Sequence, residues 1–223
     1  MTRNDAIRLD TGFDSAARIM RCRVYQFRWK GTMRKLVEIT FMSLDGVIDA
    51  RDLTTHAQRY FAGDTQHDRY QKEHLFAADM LLLGRATYEH LSAAYLEMGK
   101  TGKGAPTDFV ERMNSIPKLV ASSTLQDASW NATIVRGDVG KRVREVKADA
   151  GGDIVKYGNG VLDRALFSED LIDVFCVIVY PFLLGHGTRL FDKVDRPTHL
   201  RLTAEHRFDS GTMVLEYTRG ERE

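Results

Sequence analysis

The chain has 223 residues, of which 43% are hydrophobic and 28% charged, and its formal net charge is +1. This balance excludes a disordered or fibrous protein, and the length is enough for one domain with a buried core. No apolar run reaches the roughly 20 residues of a membrane span, so the sequence predicts a soluble protein with no membrane partner.

The two cysteines, Cys22 and Cys176, are too few for a disulfide framework or a cysteine-rich zinc site. They favour a reducing compartment, and we expect a cytoplasmic protein without a bound metal. His67 and His74 could share one helix face, but solvated polar side chains are the ordinary interpretation of that pair.

Residues 1–32 form a basic leader that differs from the rest of the chain. Residues 1–35 carry nine Lys or Arg against three Asp, which leaves the remainder mildly acidic and argues against a nucleic-acid partner for it. Three interpretations of the leader stay open: a disordered extension, an organellar targeting peptide, and a basic arm. The aspartates weaken the second, and the composition favours a disordered extension before one domain over residues 33–223.

From Met33 onward, strands and helices are predicted to alternate. The predicted strands span 36–41, 79–84, 118–122, 132–136, 153–157, 171–184, 198–208 and 212–218. The predicted helices span 64–78, 85–95, 108–115, about 138–150 and 161–167. The pattern predicts an α/β fold with a mixed, mostly parallel sheet, closed by a C-terminal antiparallel hairpin at Asp209-Ser210-Gly211. A sheet edge and the long apolar strand at 171–184 favour a homodimer.

Three predicted strands stop at small or hydroxyl residues where a helix or loop begins. In open α/β sheets, ligands bind outside the carboxyl ends of the strands, where helix N-termini suit phosphate and glycine permits a close backbone approach. An arginine beside such a turn can grip a phosphate. Together the three turns indicate a long, multiply phosphorylated ligand: Gly84-Arg85-Ala86-Thr87, Ser122-Ser123-Thr124 and Gly158-Asn159-Gly160-Val161-Leu162.

The ordered set of motifs resembles the dihydrofolate reductase superfamily, in the branch of the riboflavin-biosynthesis reductase domain. The set comprises Phe41 to Ile48, Leu82 to Glu89, Lys118 to Leu125, Gly158 to Leu162, and Leu171-Ile172-Asp173 with Pro181 to Phe191. The resemblance covers about Met33 to Arg219. It implies a three-layer dihydrofolate reductase-like fold, the cofactor NADPH, and hydride transfer to a small-molecule substrate, a pterin, folate-like compound or aminopyrimidine such as 5-amino-6-(5-phosphoribosylamino)uracil.

The resemblance also implies roles for individual residues. Gly84, Arg85 and Thr87 would hold the cofactor phosphates, and Ser122 and Ser123 would lie near the adenosine 2′-phosphate. Residues 45–48 would close over the nicotinamide. The pyrophosphate and the nicotinamide side would lie along Gly158, Asn159, Gly160, Val161 and Leu162.

Asp45, Tyr157 and a bound water are the candidate proton donors. The chain departs from the family pattern at two places. Serines stand where an arginine is common near the 2′-phosphate, and Lys156-Tyr157 replaces a glutamate usual in riboflavin-pathway reductases, which puts the aminopyrimidine substrate in question.

The alternative from another class is a non-catalytic NADP-binding regulatory or interaction protein. It would keep the phosphate turns but transfer no hydride.

Overall fold

A computed structural model of the chain describes residues 34–61, 63–190 and 197–220. The basic leader lies outside the described residues, so the interpretations of it stay predictions. Among the helices of the described ranges, none is both long and apolar enough to cross a membrane.

The described residues form alternating strands and helices that end in a strand hairpin. The strands are β1 (Leu36–Ser43), β2 (Ala78–Gly84), β3 (Lys118–Ala121), β4 (Ala132–Val135), β5 (Asp153–Tyr157), β6 (Val174–Tyr180), β7 (Leu200–Arg207) and β8 (Met213–Arg219). The helices are α1 (Ala50–Phe61), α2 (Thr65–Ala77), α3 (Arg85–Thr101), α4 (Thr107–Ser115), α5 (Val139–Ala148) and α6 (Val161–Ser168).

These strands form one sheet in the order β4-β3-β2-β5-β1-β6-β8-β7. The pairs from β4 to β6 are all parallel, whereas β8 pairs antiparallel with both β6 and β7. The predicted mixed, mostly parallel sheet with a C-terminal antiparallel hairpin is therefore confirmed. Because the first six strands run the same way, their carboxyl ends lie at one edge, called the carboxyl edge below.

Helices cover both faces of the sheet and make three layers. On one face, alternate strand residues such as Ile39 and Ile178 pack with Leu53 of α1, Leu75 of α2 and Met113 of α4. On the other face, a second set of strand residues packs with α5 and α6; this set includes Leu36, Leu82, Ile154 and Val177. Burial on both faces explains why the parallel strands are nearly continuous apolar runs.

Side chains fix where several helices begin. Asp64 precedes α2, and its Oδ1 accepts hydrogen bonds from the backbone N–H groups of Gln66 and His67 at 3.0 and 3.1 Å. The predicted cap at Asp138 is present, since its carboxylate accepts from the N–H of Lys141 at 2.8 Å. Such caps satisfy N–H groups that have no partner inside the helix.

The predicted strand over 171–184 is too long, because β6 spans only Val174–Tyr180. Asp173 leaves the strand and accepts a hydrogen bond from the N–H of Leu36 at 2.7 Å, and Pro181 follows the last strand residue with no N–H for the ladder. Since β6 lies between β1 and β8, its apolar composition is explained by the core. The apolar composition of β6 therefore gives no support to a homodimer, which stays a prediction.

Helix α1 was not predicted, and α3 extends to Thr101 instead of ending near Tyr95. The sequence does carry a helical signal here, because Leu53, Ala57, Tyr60 and Phe61 recur at the spacing i, i+4, i+7 and i+8. Leu53 is buried and Ala57 packs against the core. Asp49 starts the helix, as its Oδ1 accepts from the N–H of Arg51 at 3.2 Å.

We expect Ile178→Ala to reduce the free energy of unfolding by about 2–5 kcal/mol, because it opens a cavity in the centre of the sheet. Ile178 is 0% exposed. The matched control is Leu202→Ala on the outermost strand β7, where the side chain is 46% exposed and the cost should be within roughly 0.5 kcal/mol. Urea unfolding measures both, and equal losses would contradict the central position of β6.

Candidate functional site at the carboxyl edge

The carboxyl edge brings the three predicted phosphate turns together. Gly84 at the end of β2 pairs with Ala121 at the end of β3, and Leu83 pairs with Tyr157 at the end of β5. The residues that follow these strand ends therefore line one side of the sheet in adjacent positions. The sequence placed the turns at strand ends, and the strand order makes them neighbours.

Two of the turns are in direct contact. Gly158 has a φ of +81°, a conformation that side chains disfavour, and a Cβ at this position would overlap Thr87 Oγ1 in the first turn of α3. Asn159 is held from below, because its Oδ1 accepts a hydrogen bond from Thr40 Oγ1 of β1 at 2.8 Å. The turn at 158–160 and the start of α3 thus form one continuous surface.

The start of α3 presents free donors on this surface. Gly84 precedes the helix and supplies no side-chain cap, and a Cβ there would meet nothing within 4 Å. The first turn of α3 contains no acidic residue, and Arg85 is exposed. Unpaired N–H groups, the positive end of the helix and a guanidinium make this a suitable position for phosphate.

The third turn, after β3, contains a serine cap and an arginine that sequence reasoning missed. Ser122 Oγ accepts from the N–H groups of Thr124 and Leu125 at 3.2 and 3.0 Å, whereas Ser123 is exposed. The N–H of Ser122 donates to the carbonyl of Val135 at the end of β4, so Arg136 follows directly beside it. Arg136 is exposed and donates to the Gln126 carbonyl at 3.2 Å.

A buried charged cluster supports the 158–160 turn from beneath. Lys156 of β5 and Glu38 of β1 are 1% and 0% exposed, and their charged atoms lie 3.7 Å apart. Lys156 also contacts Asp163 of α6 and donates to the Gly158 carbonyl at 2.5 Å. Asp163 in turn accepts from the N–H of Gly160. The positive charge of Lys156 thus offsets the negative charge of Asp163, and the same side chain hydrogen-bonds to the backbone of the turn.

Burial raises the pKa of Glu38 to about 8, against the opposing attraction of Lys156. With Glu38 protonated at neutral pH, the cluster contains one positive and one negative charge. That neutral arrangement is what a site excluded from water favours.

Asp45, a predicted proton donor, lies in the loop after β1 and acts as an acceptor. Its carboxylate accepts from Ser43 Oγ at 2.5 Å and from the N–H groups of Leu184 and Gly185 at 3.1 and 2.8 Å. These hydrogen bonds lower its pKa to about 2, with the Ser43 bond the largest cause. An ionised carboxylate has no proton to give, so the geometry favours a role in joining two loops.

Tyr157, the other predicted proton donor, ends β5 and packs in the core beside Val155. It is 7% exposed, and its hydroxyl has no hydrogen-bond partner among the described residues. Burial raises its pKa, so the hydroxyl keeps its proton. The hydroxyl lies inside the core near Tyr95 and Cys176, so its position does not by itself indicate contact with a ligand at the neighbouring turn.

An aromatic and histidine cluster lies on the helix α2 side of the same edge and was missed by the sequence analysis. Tyr180, whose neighbour in register is Ser43 at the end of β1, stacks on Phe41 and Phe182 with ring centroids 6.3 and 5.7 Å apart. The Tyr180 hydroxyl lies 3.0 Å from His67 Nε2 of α2. The signal available from sequence was only the aromatic residue at the end of an apolar strand.

Comparison of the chain with known proteins identifies its family. The RibD C-terminal domain model matches residues 34–214. Over 195 residues the chain is 27% identical to the uncharacterised protein YwjB of Bacillus subtilis (strain 168), an alignment that covers 83% of this chain and 98% of that protein.

Solved structures with this fold include a Shewanella sp. PV-4 protein assigned to riboflavin biosynthesis, with a TM-score of 0.66 at 19% identity over 84% of this chain and 99% of that one. Another is dihydrofolate reductase from Enterococcus faecalis complexed with NADP(H), with a TM-score of 0.56 at 16% identity over 84% of this chain and 97% of that one. The chain therefore belongs to the RibD C-terminal domain family and has the dihydrofolate reductase fold.

Proposed function

We propose that the protein is an NADPH-dependent reductase that transfers a hydride to a small heterocycle of the pterin, folate or aminopyrimidine type. The observation that carries this proposal is the contact between the 158–160 turn and the first turn of α3 at the carboxyl edge. Two phosphate-binding elements held against each other suit the two phosphates of a dinucleotide. Membership of the RibD C-terminal domain family supports the same proposal.

Different residues of the carboxyl edge would contact different parts of the cofactor. Gly84, Arg85 and Thr87 would hold phosphate at the start of α3, and Ser122 and Ser123 would lie near the adenosine end. The remaining predicted residues would pass beneath the pyrophosphate and nicotinamide: Gly158, Asn159, Gly160, Val161 and Leu162. When bound, NADPH supplies the hydride, while the protein aligns it and excludes water.

The substrate would lie against the aromatic cluster next to the Asp45 loop. Flat heterocycles stack on aromatic faces such as that of Phe182, and the hydrogen-bonded pair of His67 and Tyr180 can hold a proton near the reacting ring. Asp45 would keep the loop at 44–48 fixed to the loop at 184–185. The His67 and Tyr180 pair thus joins Tyr157 and a bound water as a candidate proton source, and we assign Asp45 a role in positioning the loop.

The experiment that tests the proposal is titration of the purified chain with NADPH and NADH, followed by nicotinamide fluorescence. Saturable binding of one NADPH per chain, followed by its oxidation on addition of a pterin, folate or aminopyrimidine, is the expected result. Binding without oxidation by any of these would favour the non-catalytic NADP-binding alternative. No binding of either nucleotide would refute both functions.

We expect Arg85→Ala to weaken NADPH binding by about 1.5–3 kcal/mol, the value of a hydrogen bond to a charged group. Arg201→Ala, an exposed arginine at the start of β7 and far from the carboxyl edge, is the control and should leave the affinity unchanged. The same fluorescence titration measures both. Unchanged affinity in a folded Arg85→Ala protein would remove Arg85 from the site.

Arg136 is expected to select NADPH over NADH, because it stands beside Ser122 where the 2′-phosphate would lie. Arg136→Ala should lower NADPH affinity about tenfold or more, as one charged hydrogen bond is worth about 1.5–3 kcal/mol. NADH lacks the 2′-phosphate, so its affinity serves as the internal control. Equal losses for both nucleotides would show that Arg136 acts elsewhere.

The raised pKa of Glu38 predicts a loss of stability as the pH rises. The folded chain binds the Glu38 proton more tightly than the unfolded chain, whose carboxyl has a pKa of 4.5 against about 8 when folded. Raising the pH through this window therefore reduces the free energy of unfolding. We expect Glu38→Gln to remove this contribution, on the order of 3 kcal/mol between pH 5 and 8.

Urea unfolding of the wild type and Glu38→Gln at several pH values measures that difference. Glu205→Gln, at an exposed glutamate of β7, is the matched control and should follow the wild-type pH profile. If Glu38→Gln keeps the wild-type slope, Glu38 is ionised in the folded protein.

A further inference from the structure

A second polar cluster lies inside the protein, on the sheet face covered by α2, and the proposed reductase chemistry does not use it. It contains His74 from the last turn of α2, Cys176 from β6 and Glu216 from β8. Their nitrogen, sulfur and carboxylate oxygen ligand atoms all lie within 4.8 Å of one another. Cys176 is completely buried, and the other two are partly buried.

Two further side chains converge on the same carboxylate. The Tyr70 hydroxyl donates to Glu216 Oε1 at 2.9 Å, and His206 Nε2 of β7 lies 3.3 Å from that oxygen. The Tyr70 ring also lies against both imidazoles, with centroid distances of 4.6 Å to His74 and 5.4 Å to His206. His74, Cys176 and Glu216 therefore surround one point, and His206 contacts the Glu216 carboxylate from the next strand.

The backbone fixes the positions of these groups. Cys176 and Glu216 are partners in register across β6 and β8, and α2 holds His74 above them. Cys176 is in register with Ile39 of β1, which is in register with Tyr157 at the end of β5, so the cluster lies level with the end of β5 and two strands away from it. The residues proposed to hold the cofactor phosphates lie beyond this strand end and do not include the cluster.

We propose that His74, Cys176, Glu216 and His206 bind one divalent transition metal ion, with Zn²⁺ the best match. Zinc takes nitrogen, thiolate and carboxylate ligands in tetrahedral geometry, with bonds of about 2.0–2.3 Å. Such a site places its ligand atoms roughly 3.4–3.6 Å apart, so His74, Cys176 and Glu216, now within 4.8 Å of one another, must draw together and His206 must approach the other two. On binding, the Cys176 thiol loses its proton to solvent and coordinates as the thiolate.

The remaining contacts suit a structural metal. The Tyr70 hydroxyl bonds both Glu216 and Cys176, so on metal binding it would give up Cys176 and keep orienting the Glu216 carboxylate. Four protein ligands leave no open position for a substrate. The ion would join α2 to β6 and to the C-terminal hairpin, and its binding would stabilise the folded chain.

The experiment uses the full chain carrying Cys22→Ser, so that Cys176 is the only remaining thiol, after treatment with a chelator and desalting. Titration with Co²⁺ should give one ion per chain, with a sulfur-to-cobalt charge-transfer band and tetrahedral d–d bands. Zn²⁺ should displace the cobalt and raise the thermal unfolding midpoint. Absence of binding, or binding without the sulfur band, would overturn the proposal.

Variants test the ligand assignment. Cys176→Ala should abolish the sulfur-to-cobalt charge-transfer band. Loss of a residue that only hydrogen-bonds to a ligand costs roughly 10–100-fold in metal affinity, so loss of a ligand in His74→Gln or Glu216→Gln should weaken Zn²⁺ binding by at least that much. His90→Gln, at an exposed histidine of α3, is the control and should bind normally. If Cys176→Ala does not fold, the His74 variant decides: affinity equal to that of the control would refute the site.

Discussion

Parallel pairing from β4 through β6 is the constraint on which the functional surface depends. Strands that run in one direction end at one edge, so every loop that follows them meets there. The turns after β2, β3 and β5 are far apart in sequence, yet the strand order makes them neighbours. The contact between Gly158 and Thr87 then converts this proximity into a surface with fixed geometry.

Electrostatics inside the sheet determines how firmly that surface is held. Lys156 is buried within the sheet, and its charge would be very unfavourable without Asp163. The same side chain binds the Gly158 carbonyl, and Asp163 binds the Gly160 N–H. The turn is therefore specified by buried charges as well as by glycine.

Most of the fold follows from the local sequence. Apolar runs mark β2, β3 and β5 within one or two residues, and Asp138 identifies the start of α5. Helix α1 could also have been predicted, since Leu53, Ala57 and Phe61 recur at the helical spacing of four residues. The end of β6 was misplaced because hydrophobicity continues through Leu184, although Pro181 and the stacked aromatic rings interrupt the ladder.

The residues of the candidate site could be predicted only where they belong to one short, continuous sequence motif. The phosphate turns are short segments, so their residues could be named from sequence. The contacts of Tyr180 with His67, of Ser122 with the strand that precedes Arg136, and of Cys176 with Glu216 join distant segments. No local pattern contains them, because strand order and register decide which residues meet.

The central position of β1 has a consequence for folding of the chain. This first strand pairs with β5 and β6, so Leu36 finds its partner Ile154 only after most of the domain has been synthesised. Closing such long loops makes folding slow, and unpaired apolar strands invite aggregation while they wait. A nascent chain that stops before residue 153 lacks the neighbours of its own central strand, so the core forms late and as one cooperative event.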